Sequence, residues 1–399
     1  MQIFHINLKY KEAIMKKATS HIYLIILLSI LSSVAPIGVD TYLPSIPDIA
    51  KAFDVSIEKI ELSLSIFLIG FSIGQVFGGP ISDKYGRKMS SVFGLLGFGF
   101  FSFLIIFSTT IYQLWIFRFF EAFSGGIVVV NAAAAVRDRF HGTEAAKVFS
   151  LIGMVRSIAP LMAPVIGAFI IHFWTWKAVF IFLTLYAFVV AFLIYRDLEE
   201  SYTYTKQNII ESFKMVLSHK TAIKSMLVLG FSFGGFFVIV AKTSFIYIEY
   251  FKISTDYFPL FFGVNFIVLM SMIKVNVHLL KTYDSVSLVK MAVSVQVISG
   301  ALIALNSENI SIILTVILLA SYMSMMAFIF GNCMALTLEH FPKNAGVASG
   351  VVGVVQFGLG AFVSSIALSY HDGTIFPIGI SVCFISCLAF LVIQSYKNV

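Results

Sequence analysis

The composition of this 399-residue chain indicates a membrane protein. Hydrophobic residues make up 59% of it and charged residues only 12%, whereas soluble domains carry about 25% charged residues. The apolar runs are continuous rather than alternating in polarity, which excludes a lipid-facing β-barrel. A net charge of +7 would suggest nucleic acid in a soluble protein. In a membrane protein the placement of charge matters more, so no nucleic-acid partner is predicted.

Apolar runs of about 20 residues, bounded by charge, proline or asparagine, predict twelve transmembrane helices. The first six spans are predicted near residues 21–42, 60–81, 90–110, 112–134, 146–171 and 175–195. The second six are predicted near residues 221–248, 257–280, 286–305, 310–333, 346–369 and 374–395. The predicted fold class is therefore an all-α polytopic membrane protein.

The longest polar stretch after the N-terminus divides these spans into two sets. It runs from Arg196 to Lys220 and predicts a linker at residues 196–220. The predicted organisation is an N-terminal extension, residues 1–20, a six-helix half at 21–195, the linker, and a second half at 221–399. Similar tripeptides lead into spans five and eleven, Asp138-Arg139-Phe140 and Glu339-His340-Phe341. Such an echo indicates two parallel six-helix repeats, the plan of a large class of secondary transporters.

The distribution of basic residues predicts the orientation. Of the 27 Lys and Arg residues, 19 fall on the side of the N-terminus, four on the opposite side and four within predicted spans. Because cytoplasmic loops carry the excess of Lys and Arg, both termini are predicted to be cytoplasmic. The expected location is the cell inner membrane.

A tight charged turn between spans two and three carries the sharpest local motif. The segment from Gly79 to Lys88 places Asp83, Gly86 and Arg87 within a few residues of one another. Glycine permits backbone angles closed to other residues, and the ionised groups can form charge-assisted hydrogen bonds. A positive-inside loop is the simpler interpretation. The pattern G-x-x-x-D-x-x-G-R-[KR] nevertheless resembles the signature loop of the major facilitator superfamily.

Further segments narrow the resemblance to the bicyclomycin/chloramphenicol resistance (Bcr/CflA) branch of the drug/proton antiporters. They are Asp40 to Pro47, Arg137-Asp138, Ala159 to Pro164 with Gly167, Asp197 to Ser201, Phe245 to Phe251 and Gly346 to Gly350. The loop Lys281 to Ser285 has lost any second copy of the signature. The resemblance implies the major facilitator fold, two six-helix halves, and proton-coupled export of drugs. It also implies a cytoplasmic gate formed by Gly79, Asp83, Gly86, Arg87 and Lys88, with Asp138 as the predicted partner of Arg87.

Span five carries two prolines four residues apart, Pro160 and Pro164, between Gly153 and Gly167. The prolines each remove a backbone donor on one helix face, and the glycines permit close helix contact, so a bend is expected. A tolerated kink in a buried helix is the plainer alternative. The resemblance implies the antiporter helix motif, which packs the two halves together and blocks leak.

Ionisable residues within spans are functional candidates because burying them is costly. Asp40, Arg118 and Glu121 are predicted to share one half of a cavity, with Glu121 on the same helix face as Arg118. The resemblance implicates Asp40 and Arg118 in proton coupling and usually has Gln where this chain has Glu121. A helix cap or interfacial anchor is the alternative for Asp40, and a structural salt bridge the alternative for Arg118.

Three further cations lie within predicted spans. Arg156 is too central to reach a membrane boundary and is predicted to line the substrate cavity. Lys242 and Lys274 lie close enough to a boundary for snorkelling, which is the simpler interpretation of both. Span two contains the small residues Gly70, Gly74 and Gly78 at four-residue spacing, which predict helix packing.

These features together predict a proton-coupled exporter of small amphipathic compounds that works by alternating access. A dedicated metabolite or siderophore exporter on the same scaffold is the alternative, followed by a proton-coupled importer. The spans lack the residues of an intramembrane hydrolase, the chain has no P-loop, and nothing indicates the pore rings of an oligomeric channel. No enzyme activity, cofactor or metal is predicted. The expected partners are a small-molecule substrate, protons and the lipid bilayer, with the protein a monomer.

Overall fold

The computed structural model describes residues 22–139, 142–200, 209–307, 310–341, 345–370 and 372–395. The predicted N-terminal extension, residues 1–20, lies outside this part. The N-terminal helices are α1 (Ile22–Ser32), α2 (Val34–Asp40), α3 (Ile46–Phe53), α4 (Ile57–Tyr85), α5 (Arg87–Ile105), α6 (Ile111–Arg139), α7 (Gly142–Phe173) and α8 (Trp176–Asp197). They are followed by α9 (Ile209–Ser218), α10 (Lys220–Ser244), α11 (Phe258–Leu279), α12 (Ser285–Leu305), α13 (Ile312–Ser324), α14 (Met326–Leu338), α15 (Ala345–Leu368) and α16 (Phe376–Gln394).

The described helices match the predicted spans. Within the described ranges, ten helical stretches are long and apolar enough to cross a membrane, two of them formed by α10 with its π-helical end, Phe245–Tyr250, and by α13 with α14. The pair formed by α1 with Val34–Phe53 gives an eleventh, and α7, at the position of the predicted fifth span, contains the shorter apolar stretch Ile158–Phe173. The prediction of an all-helical polytopic fold is confirmed.

The first span departs from its predicted end. It bends by 46° where α1 meets Val34, and helix continues through a 3₁₀ turn at Leu43–Ser45 into α3, ending at Phe53 rather than near residue 42. Pro44 and Pro47 suggested a stop. Each instead occupies one of the first two positions of a helical segment, where the missing N–H has no helical partner to lose.

Glycines bring α4 and α6 into backbone contact. A Cβ at Gly70 would lie 2.3 Å from the carbonyl oxygen of Phe119, and one at Gly74 would lie 2.0 Å from that of Phe123. Gly78 continues the same line against Ile127. The predicted packing role of these three glycines is confirmed, because no larger residue fits at the first two without moving the neighbouring helix.

The two halves meet mainly along α4 and α15. Ser65 and Ser364 hydroxyls lie 3.0 Å apart across this contact, and the Ser72 hydroxyl donates to the Val354 carbonyl at 3.1 Å. Helices α7 and α11 also pack against each other. We refer to the two ends of the bundle as the Asp54 end, between α3 and α4, and the Gly86 end, between α4 and α5.

Candidate functional site

The loop between α4 and α5 is held by the Arg87 side chain. Its Nη1 donates to Asp83 Oδ1 and to the Ser82 hydroxyl, both at 2.6 Å, and its Nε donates to Asp138 Oδ2 at 2.9 Å. The predicted contact between Arg87 and Asp138 is therefore present. The guanidinium ties the end of α4 to the end of α6 with charge-assisted bonds.

Glu200, which follows α8, closes the same loop. Its carboxylate accepts from the backbone N–H groups of Arg87 at 2.8 Å and Lys88 at 3.1 Å, the first residues of α5. These donors have no partner within the helix, so an acidic group is favoured there. Gly86 has φ of +84°, and a Cβ there would lie 2.3 Å from Glu200 Oε2. Both geometry and space therefore require glycine at this position.

Not every residue of the motif is equally constrained. A Cβ at Gly79 would meet nothing within 4 Å, so packing does not explain a glycine there. Sequence reasoning placed Glu200 in a family segment without assigning it a contact. Its position directly after a span, at the same end as the charged turn, was the signal that could have indicated the contact.

A fully buried ion pair lies within α6. Arg118 Nη1 donates to Glu121 Oε2 at 2.8 Å and also contacts the Gly38 carbonyl at 3.2 Å. Glu121 Oε1 accepts from the Ser102 hydroxyl at 2.6 Å. The guanidinium stacks over the rings of Tyr42 and Phe67, a favourable position for a cation. The predicted pairing of Arg118 with Glu121 is confirmed, while its role in proton coupling is not tested by the geometry.

Asp40 is the last residue of α2 and is only 5% exposed. Within the residues that the structure describes, its carboxyl has no ion pair, and Arg118 bonds to the backbone of Gly38 rather than to Asp40. The alternative of a helix cap or interfacial anchor for Asp40 is not tested by this burial. Asp40 is therefore a buried acid without an ion-pair partner among the described residues.

The interpretation of Lys242 as a snorkelling residue is wrong. Its side chain is 2% exposed, and its Nζ lies 2.6 Å from Oε2 of Glu61, which is fully buried. Lys242 belongs to α10 in the C-terminal half and Glu61 to α4 in the N-terminal half, so we call this contact the inter-half ion pair. The ammonium is therefore paired with a carboxylate inside the protein rather than extended to the membrane boundary. Lys274 is exposed, which is compatible with snorkelling.

Sequence reasoning missed Glu61 because it follows Glu58 and Lys59 and resembles a loop residue. The depth of the two residues carries a usable signal. Glu61 is the fifth residue of α4, leaving the Asp54 end, and Lys242 is the third from the end of α10, approaching that end. Two opposite charges at similar depth in spans of different halves are candidates for pairing.

Helix α7 runs unbroken through Pro160 and Pro164. Near its end, a Cβ at Gly167 would lie 2.2 Å from the Thr41 carbonyl, so glycine permits α7 to touch the turn after α2. Gly153 lies in α7, but its surroundings and the Arg156 side chain fall outside the described part of the structure. The predicted placement of Arg156 in a cavity stays a prediction.

The Asp54 end is closed across the two halves. Besides the inter-half ion pair, the Ser244 hydroxyl donates to the Leu43 carbonyl at 2.6 Å. His172 Nδ1, at the end of α7, lies 2.9 Å from Asp256 Oδ1, before α11, and both side chains are about half exposed. Water does not reach Glu61 or Lys242 in this arrangement, since both are buried.

Possible metal ligands were searched among the described ranges. That part of the chain contains no group of three or more His, Cys, Asp or Glu side chains arranged to hold a metal ion.

Comparisons with known proteins agree with this architecture. Residues 28–365 match the family model described as Major Facilitator Superfamily. A bicyclomycin resistance protein homolog from Haemophilus influenzae is 31% identical over 91% of this chain and 93% of its own length. The chloramphenicol resistance protein CraA from Acinetobacter baumannii is 27% identical over 64% of this chain and 62% of its length. Among solved structures, a D-xylose–proton symporter superposes with a TM-score of 0.76 at 17% identity, covering 94% of this chain and 98% of the symporter.

Proposed function

Since the chain belongs to the major facilitator superfamily, in its Bcr/CflA branch, we propose that it exports small amphipathic compounds, drugs among them, in exchange for protons. The family transports small molecules across membranes. The relatives named for bicyclomycin and chloramphenicol resistance support drugs as the substrate class and outward movement as the direction.

The single observation that carries proton coupling is Asp40. A carboxyl that is 5% exposed, lies within a span and has no described ion-pair partner is the kind of intramembrane acid that carries protons in transporters. Asp40 therefore serves as the group that takes up and releases the transported proton. Substrate binding nearby changes the environment of the carboxyl, so proton and substrate compete for one site.

The pair formed by Arg118 and Glu121 supports this site from the adjacent helix. The guanidinium bonds to the Gly38 carbonyl, two residues before Asp40, so a change in its pairing with Glu121 alters the electrostatic field at the end of α2. Glu121 supplies a second acid that can be protonated. In this proposal Arg118 adjusts the proton affinity of the site, and Arg156 lines the substrate cavity.

Transport proceeds by rocking of the two six-helix halves, residues 21–195 and 221–399, about their contact. The Gly86 end faces the cytoplasm, as the excess of basic residues in its loops favours, and both termini lie on that side. The gate at the Gly86 end is formed by contacts around the loop after α4, made by Asp83, Arg87, Lys88 and Asp138. Helix α7 limits leak through the protein by means of its motif residues, Gly153, Pro160, Pro164 and Gly167. The protein acts as a monomer in the inner membrane.

The test is transport by the purified full chain in proteoliposomes with an imposed proton gradient. Chloramphenicol and bicyclomycin are measured beside an internal pH indicator. We expect substrate to accumulate against its gradient while protons move the opposite way, and both fluxes to cease when a protonophore collapses the gradient. Substrate movement in the same direction as protons would establish an importer. Substrate flux that is indifferent to the proton gradient would refute the coupling.

A further inference from the structure

The inter-half ion pair is the buried ionic contact that joins the two halves within the described residues. Glu61 and Lys242 meet at 2.6 Å, and neither the Glu61 oxygens nor the Lys242 nitrogen has another hydrogen-bond partner there. The two charges therefore compensate each other mainly through this contact, with the Phe245 ring 5.6 Å from the Lys242 nitrogen as a further neighbour. The other ionisable groups near Glu61 are Glu58 on its own helix and Tyr42 from the first span, whose hydroxyl bonds to Ser63.

We propose that the inter-half ion pair holds the Asp54 end closed and separates when that end opens. The inference rests on the alternating access proposed above, since that end must open once in each cycle. It adds two positioning residues, Glu61 and Lys242, which act on the equilibrium between closed and open forms rather than on substrate or proton directly.

Two opposing effects decide how such a contact behaves. In the closed form the two ions have lost their hydration, and their mutual attraction offsets only part of the free energy lost. A buried pair therefore adds little net stability compared with apolar side chains of similar volume. When the end opens, both ions regain water. The pair therefore aligns the two halves when the Asp54 end closes, and the free energy needed to open that end stays small.

The same reasoning separates two kinds of substitution. Removing one charge leaves the other buried and uncompensated, which destabilises the closed form strongly and favours opening. Replacing both residues with apolar side chains removes the hydration gained on opening and favours closure. A residue pair with a merely structural role would instead weaken the closed form in both cases.

A cysteine at position 65 reports on the opening. Ser65 is fully buried, lies one helical turn beyond Glu61, and contacts Ser364 of the other half. The reference is the full chain with Ser65→Cys, in which Cys333, Cys383 and Cys387 are changed to Ser, expressed in intact cells, where a membrane-impermeant reagent reaches the protein only from the side of the Asp54 end in the proposed orientation. The rate of reaction with a water-soluble maleimide then measures how often the Asp54 end opens.

Three variants are compared with this reference. We expect Lys242→Met to react at least fivefold faster, the double variant Glu61→Met with Lys242→Met at least fivefold slower, and the exchange Glu61→Lys with Lys242→Glu within about twofold of the reference. The matched control is Asp48→Asn with Lys51→Gln, an exposed pair within α3 at the same end, which should leave the rate unchanged.

The double apolar variant decides the matter, because it retains the side-chain volumes and should fold even where the single variant does not. A rate equal to or faster than the reference would overturn the proposal. So would an exchange variant that reacts like Lys242→Met. Proteoliposome transport of the reference is measured in parallel, so that a protein that opens and closes as expected but moves no protons refutes antiport alone.

Discussion

The two halves differ in what they bury. Among the described residues, the N-terminal half buries Asp40, Glu61, Arg118 and Glu121, whereas the C-terminal half buries one ionisable cation, Lys242, and pairs it with the other half. The polar groups inside the C-terminal half are otherwise neutral. Asn332 Nδ2 donates to Asn276 Oδ1 at 3.0 Å, for example. The proposed proton coupling therefore rests on the ionisable groups of the N-terminal half.

The loops at corresponding positions repeat the contrast. The loop after α4 joins three helices through Arg87 and Glu200. Its counterpart after α11 has a plain helix cap, in which Asp284 Oδ2 accepts from the Ser287 N–H at 3.0 Å. Among the described residues, the loop without the signature therefore has a local helix cap where the loop with the signature has cross-helix ionic contacts.

The largest effect is expected from Asp40→Asn, which should abolish uphill, proton-driven export. Asn keeps the shape of the carboxyl but cannot carry the proton. Insertion into the membrane should be unaffected, because burying a neutral amide costs no more free energy than burying the acid. The measurement is substrate accumulation in proteoliposomes under a proton gradient. Asp48→Asn, on the exposed face of α3, is the control. Full accumulation by Asp40→Asn would show that the Asp40 carboxyl is not needed for proton-driven export.

Charge reversal at the gate tests the contrast between loops. Arg87→Glu and Asp138→Arg should each lower transport about tenfold, since each breaks a charge-assisted bond. The double reversal should recover only part of the loss, because Asp83 also accepts from Arg87 and would face a second acid. The same reversal at Asp48 and Lys51 serves as the control. A double variant no better than either single one would show that the pairing has no role.

Asn332→Ala examines the neutral half. The substitution removes the donor to Asn276 and the acceptor of the Ser285 hydroxyl, which should lower stability by about 1–3 kcal/mol. Proton dependence of transport should not change. Thermal unfolding in detergent and the pH profile of transport measure the two quantities, with exposed Asn306→Ala as the control. A shifted pH profile would mean that the C-terminal half also takes part in coupling.

The smallest effect is expected at Asp284. Hydrogen bonds from Ser287 lower the pKa of this carboxyl, so its capping contribution is present above its ordinary pKa and is lost as the pH falls through the lowered value. Asp284→Ala should cost about 1 kcal/mol, and Asp284→Asn should retain most of the cap. Thermal melts at neutral and acidic pH check this. Loss of transport in Asp284→Ala would indicate a gate in this half too.

The sequence was sufficient for the spans, the glycine packing of α4 and the pairings of Arg118 with Glu121 and Arg87 with Asp138. The spans, the glycine packing and the pairing within α6 follow from local periodicity or from residues one helical turn apart, whereas the pairing of Arg87 with Asp138, 51 residues apart, came from the family resemblance. The pairing of Glu61 with Lys242 joins positions 181 residues apart, and its recognition required knowing that α4 and α10 approach each other. The contact of Glu200 with the start of α5 depended in the same way on how α8 ends beside the loop.

The inter-half ion pair also constrains how this sequence can evolve. A mutation that removes Lys242 alone strands the Glu61 carboxylate in the interior, and one that removes Glu61 alone strands the ammonium. Each single change leaves a buried ionisable group without its partner, so we expect the two positions to be inherited as a unit. Across descendants of a common ancestor, an acid at 61 should accompany a base at 242, and lineages with an apolar residue at one position should have replaced the other as well.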